Sequence, residues 1–179
     1  MNEEFTPISF LMLVQKAKLR AAAAPILLVL IGLGLSVYTP FLYAKYISLF
    51  GLLLYFITIS RFRIRKRISS EIEMQTIYSP INGTISDTYE NDAKITITIR
   101  KGFFQPAEIR CPSADKNVEV SFEKGKITWF ERSTAQPKKM NGIVPVSAIC
   151  KCSFPKEYKL QVQKGNKVVA GESKIAAKV

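Results

Sequence analysis

The sequence predicts an N-terminal two-helix transmembrane hairpin followed by an all-β, barrel-sandwich-like soluble domain. Residues 21–60 are almost uncharged and strongly apolar, broken once at Thr39-Pro40. A cationic run, Arg61, Arg63, Arg65, Lys66 and Arg67, closes that block. Beyond residue 75, short β-rich runs alternate with Gly, Asn and Asp turn residues. The chain therefore divides into an interfacial N-terminal segment (1–20), the hairpin (21–60), a basic juxtamembrane linker (61–75) and a β-rich domain (76–179).

Crossing a bilayer takes ~20 apolar residues per helix, so residues 21–60 supply two short spans with a tight turn between them. Residues 8–14 are apolar and lead into Lys16, Lys18 and Arg20, a pattern expected of a short amphipathic helix at the interface. Gly32, Gly34 and Gly51 are candidates for close helix approach. Basic residues flank both outer ends of the hairpin, whereas the region between the spans offers only Lys45, so the positive-inside bias places both termini in the cytoplasm at the inner membrane.

The part after the hairpin carries 22 Lys and Arg against 12 Asp and Glu, most of the +12 net charge of the chain. A surface so biased beside a bilayer is drawn to anionic headgroups, and Arg61, Arg63, Arg65, Lys66 and Arg67 are the expected lipid-binding residues. The cationic cluster sits at a helix exit and carries no readable nucleic-acid motif, so anionic phospholipid, with a possible membrane-protein partner, is the expected partner rather than nucleic acid.

Histidine is absent from the chain. That removes the usual general base near neutral pH, the Ser-His-Asp and Cys-His arrangements and the common zinc sites, and no metal site is expected. Cys111, Cys150 and Cys152 are an odd number in a domain placed in the cytoplasm, which argues against a disulfide framework. The spacing of Cys150 and Cys152 puts both on one face of a strand.

Strands are expected at residues 84–86, 95–99, 118–122, 127–130, 143–146, 158–162 and 167–169. Turns are expected at Asn82-Gly83, 90–92, Lys101-Gly102, Lys124-Gly125, Asn141-Gly142 and 164–166. Phe103-Phe104 and Trp129-Phe130 form an aromatic group expected either in the core or, beside Lys101 and Arg132, at headgroup level.

The hydrophobic pair, the basic exit, Ser79-Pro80-Ile81-Asn82-Gly83, residues 94–125 and the late Gly165 to Glu172 turn resemble, in order and spacing, the phosphatidylserine decarboxylase family, particularly its short membrane-anchored branch. In that family an aspartate in the first motif and a histidine in the second drive self-cleavage at a late Gly-Ser bond, which leaves a pyruvoyl group as the electron sink. Aligned on those motifs, Asn82 stands at the aspartate position and Ala107 at the histidine position, and Val179 lies about where the Gly-Ser motif would begin. Ser173 follows Glu172 rather than glycine and is not expected to replace that serine. The resemblance thus implies degenerate catalytic positions, an absent pyruvoyl group and a decarboxylase-like pseudoenzyme that binds lipid or a partner at the membrane.

Residues 138–147 followed by 162–172 also resemble the second half of a biotinyl or lipoyl domain, with Lys139 at the position of the modified lysine. This is read as shared barrel-sandwich architecture. Two alternatives stand beside the pseudoenzyme: an active phospholipid decarboxylase with an unrecognised site, and a structural assembly module of a membrane complex.

Overall fold

The computed structural model describes residues 5–38, 42–65, 69, 71–131 and 136–178. Lys66, Arg67, Arg132 and the Thr39-Pro40 break lie outside the described residues. Two helices, α1 (Ile8–Tyr38) and α2 (Leu42–Ser60), are long and apolar enough to cross a membrane. Helix α1 starts directly after Pro7, whose fixed φ suits a first helical turn. It runs on through Pro25, so the anticipated interfacial segment and the first span are one continuous helix.

Close backbone approach holds the hairpin together. A Cβ on Gly32 would meet the backbone nitrogen of Ser48 at 2.7 Å, and one on Gly51 would meet that of Val29 at 2.9 Å, while Gly34 faces nothing within 4 Å. Ser48 Oγ also donates to Val29 O across the helices at 3.4 Å. Small residues at such crossings let dispersion act where burial from water cannot drive association. The same antiparallel register sets Arg20 level with Ser60. Residues 8–19 therefore project past the end of α2 by ~18 Å at 1.5 Å per residue.

The rest of the chain is β-structure: β1 (Thr76–Tyr78), β2 (Gly83–Glu90), β3 (Lys94–Lys101), β4 (Glu108–Arg110), β5 (Glu119–Lys124), β6 (Thr128–Trp129), β7 (Met140–Ile143), β8 (Ala148–Pro155), β9 (Tyr158–Leu160), β10 (Lys167–Val168) and β11 (Lys174–Lys178). They pair as three sheets, β1-β11-β9, β10-β2-β3-β8-β5 and β4-β7-β6. Every pairing between them is antiparallel. No closed ring of strands is found among the described residues.

Alternation builds the core of the five-stranded sheet. Ile95, Ile97 and Ile99 of β3 face inward with Cys150, Cys152 and Phe154 of β8, while Thr96, Thr98, Lys151 and Ser153 face out. Each fully buried aliphatic side chain contributes about 1.5–3 kcal/mol. The two cysteines share the inner face as their spacing required, and burial pushes the Cys152 thiol up to about 12.

Two expectations need correction. Asn141-Gly142 is not a turn but the middle of β7, where a Cβ on Gly142 would meet Thr128 O of β6 at 2.5 Å. Close strand approach explains that glycine. The aromatic group is also two separate pairs with different surroundings: Trp129 packs edge-on against Phe122 and Phe130 meets Phe10 of α1, whereas Phe103 and Phe104 pair with each other on the loop after β3.

Candidate functional site

Strand β4 carries a fully buried ion pair, Glu108 and Arg110, with Arg110 Nη2 3.4 Å from Glu108 Oε2. Two residues apart on one strand, they point the same way, here under the point where the hairpin joins the domain. A buried charge persists when most of its remaining donors and acceptors are filled, and in this pair Arg110 Nε alone lacks a partner among the described residues. Arg110 donates to the carbonyls of Phe5 (3.1 Å), Lys138 (3.0 Å) and Arg65 (3.0 Å) and to Thr6 Oγ1 (3.3 Å). Glu108 accepts from the Arg65 backbone N–H at 2.6 Å and from Asn82 Nδ2 at 3.3 Å. Burial lowers the pKa of Arg110 and the adjoining carboxylate of Glu108 opposes that shift.

This network ties both ends of the hairpin to the β domain. Phe5 and Thr6 precede α1, and Phe5 O also accepts from Met140 N at the start of β7. Arg63 and Arg65 follow α2, and Arg63 O accepts from Ala107 N at 2.7 Å. Beside the polar network, Val14, Ala107, Met140 and Ile143 are buried together, with Phe10, Phe62, Ile64 and Phe130 packed against them. The described residues of segment 61–75 are docked as well: Lys138, in a left-handed conformation (φ 66°), lies over the Tyr78 ring and donates to the carbonyls of Ser69 and Glu71.

The two positions singled out by the family resemblance come together here. Asn82 Nδ2 donates to Pro106 O at 3.3 Å, the carbonyl that precedes Ala107, and Asn82 Oδ1 accepts from Ala170 N at 3.3 Å. Both residues are buried, and neither side chain titrates. Glu108 is the carboxylate at this spot, held between Arg110, Asn82 and the Arg65 amide. Sequence reasoning passed over Glu108 and Arg110. The signal for them was the alternation of two opposite charges around Ile109 in a short run bounded by prolines.

The expected lipid-binding residues divide. The Arg61 guanidinium stacks 4.4 Å over the Phe103 ring, and Arg65 Nη1 pairs with Glu172 at 3.1 Å. Arg63 is exposed. Ser173 Oγ accepts from Val169 N at 2.9 Å within a tight turn. Lys139, in the connection between β6 and β7, pairs with Glu131 at 2.7 Å, and its carbonyl accepts from Cys111 N. Between the edges formed by β5 and β6 opens a cleft of about 470 Å³ lined chiefly by Val118, Val120, Phe122, Ile127 and Trp129. Compared with family models, with curated proteins and with solved structures, the chain matches none.

Proposed function

We propose that this chain is a membrane-anchored, phosphatidylserine-decarboxylase-like protein without catalytic activity, which holds its β domain against anionic phospholipid at the cytoplasmic face of the inner membrane. The three sheets are read as an opened barrel sandwich. One observation carries the reading. The two positions at which the resemblance calls for an orienting carboxylate and a proton-moving imidazole meet across a single peptide, and they hold an amide and a methyl group. Neither moves a proton. The nearby carboxylate is locked into the mount of the hairpin by Arg110, so it serves attachment rather than acid-base work.

The surroundings fit this reading. Ala107 sits wholly enclosed among Val14, Met140 and Ile143, a space that an imidazole would overfill. Asn82 places its amide N–H against Glu108, where an aspartate would set two carboxylates side by side. The site is built for the residues it has. The test is the intact mass of the purified full chain together with a decarboxylation assay on phosphatidylserine vesicles. One uncleaved species and no ethanolamine lipid are expected; two fragments with a pyruvoyl N-terminus, or turnover of phosphatidylserine, would refute the proposal.

A second reading, a structural assembly module of a membrane complex, is favoured by one feature. Ile8, Met12 and Leu19 lie along one side of the part of α1 that outruns α2, and all three are exposed. Such a stripe is the geometry of a helix partner. An assembly would show in detergent as a particle larger than one chain that shrinks when Met12 and Leu19 become serine.

A further inference from the structure

At one end of the five-stranded sheet the outer face changes character. Further along that face each lysine has a carboxylate: Lys94 pairs with Glu119 at 2.9 Å, Lys156 with Glu90 at 3.1 Å, and Lys151 with Glu123. At the end next to the hairpin, Thr84 of β2, Arg100 of β3, Ile149 of β8 and Lys124 of β5 lie in one cross-strand row. Among the described residues neither Arg100 nor Lys124 has a carboxylate partner. Below them the Lys101 ammonium, 1% exposed, donates to two carbonyls, Gly102 O at 3.1 Å and Val146 O at 3.3 Å. Carbonyl dipoles take up two of its three N–H donors and cancel none of its charge. Its pKa accordingly falls to about 8, through burial.

These groups line a cleft of about 510 Å³ together with Gln105 and Ser147. That volume suits a small ligand or headgroup. The cleft wall includes Gly102, the start of the loop that carries Phe103 and Phe104. Phe103 lies under Arg61, the first residue after α2, and Phe104 is 65% exposed. The loop thus stands where α2 ends.

We propose that this cleft is a phosphate-binding site, in which Arg100 and Lys124 grip the phosphate oxygens from the sheet face and Lys101 supplies the buried charge at the floor. A planar guanidinium and two ammonium groups are the donor set that phosphate recognition uses, and the anion compensates a cationic cluster that the fold leaves without counter-charge. That the phosphate belongs to a lipid headgroup rests on the anchored reading above; that the cleft takes phosphate does not.

The test uses the ¹⁵N-labelled full chain in phosphatidylcholine nanodiscs. In one arm inorganic phosphate is titrated in; in the other, phosphatidic acid replaces a rising share of the phosphatidylcholine. Saturable shifts of the Gly102, Gln105 and Ser147 amides are expected in at least one arm. Saturation with inorganic phosphate alone identifies a free phosphate ligand, and saturation with phosphatidic acid alone a lipid headgroup. Replacing Arg100→Gln and Lys124→Gln together should weaken binding about tenfold or more. Lys94→Gln with Lys156→Gln, which removes the same charge from the far end of the face, should change it less than about twofold. Flat titrations in both arms, or equal weakening by the two double variants, would overturn the site. The inorganic arm needs no lipid contact, so its failure is separate from a failure of the anchored reading, which cysteine labelling of the hairpin measures independently.

Discussion

Replacing Arg110 with methionine probes the joint between hairpin and domain. The substitution keeps most of the side-chain volume and removes a guanidinium that holds the carbonyls of Phe5, Lys138 and Arg65, Thr6 Oγ1 and the Glu108 carboxylate. Glu108 is fully buried and would keep only the Arg65 amide and Asn82 Nδ2. Removing one partner of a buried pair costs about 3–5 kcal/mol, because the other charge is left uncompensated. For a domain of roughly this size each kcal/mol shifts Tm by about 4–8 °C, so a loss of more than about 12 °C is expected. Glu108→Gln should cost less than Arg110→Met, since arginine retains its carbonyl partners. The double variant Glu108→Gln, Arg110→Met should fall short of the sum by at least about 1 kcal/mol, the signature of direct coupling. Equilibrium unfolding of the full chain in detergent, followed by Trp129 fluorescence, measures all three. A loss below about 1 kcal/mol for Arg110→Met, or strict additivity in the cycle, would refute the account of this pair as the clamp.

Asn82→Asp should destabilise the protein at neutral pH by setting a second carboxylate against Glu108, and stability should recover as the pH is lowered and one of the two is protonated; unfolding at pH 7 and pH 5 gives the comparison. Tyr158→Phe removes a 2.8 Å bond to Asp115 and should cost about 1 kcal/mol near neutrality. Burial and Asp115 raise the folded phenol to about 12, so the wild-type advantage is full below pH 10 and should narrow from pH 10 to 12, as read by alkaline unfolding of both proteins. Cys111, Cys150 and Cys152 are all buried with raised thiol pKa values, so a thiol reagent at pH 8 should leave them unmodified until the chain unfolds. Topology is therefore better read from introduced cysteines: in intact cells an impermeant reagent should modify Tyr38→Cys and spare Met74→Cys, both exposed positions, and the reverse pattern would invert the orientation.

What the sequence determined by itself was set by local rules. A forty-residue, almost uncharged and strongly apolar block closed by a basic run defines two candidate spans, because bilayer thickness fixes helix length and the cost of unpaired backbone groups in hydrocarbon excludes other forms. Period-two patterning located β2, β3, β5, β6, β9 and β10 and put Cys150 and Cys152 on one face. It passed over β1 and β4, which are buried at every position and so do not alternate, and β11, whose burial does not alternate either. Strand β8 was passed over as well, although its burial alternates throughout, and only the shared face of Cys150 and Cys152 was caught. It also placed β7 too late, reading Asn141-Gly142 as a turn signal when only the approach of β6 requires that glycine.

Tertiary structure alone decided the sites. Glu108 is satisfied by residues far away along the chain, among them Asn82 and the Arg65 amide, while Arg110 reaches back to Phe5. The cationic row of Arg100 and Lys124 exists only because β3, β8 and β5 pair in one register. A charge's local sequence says whether it is costly to bury. Which distant carbonyls, amides or opposite charges offset that cost is a property of the packed chain, since those groups meet only after the sheets have formed.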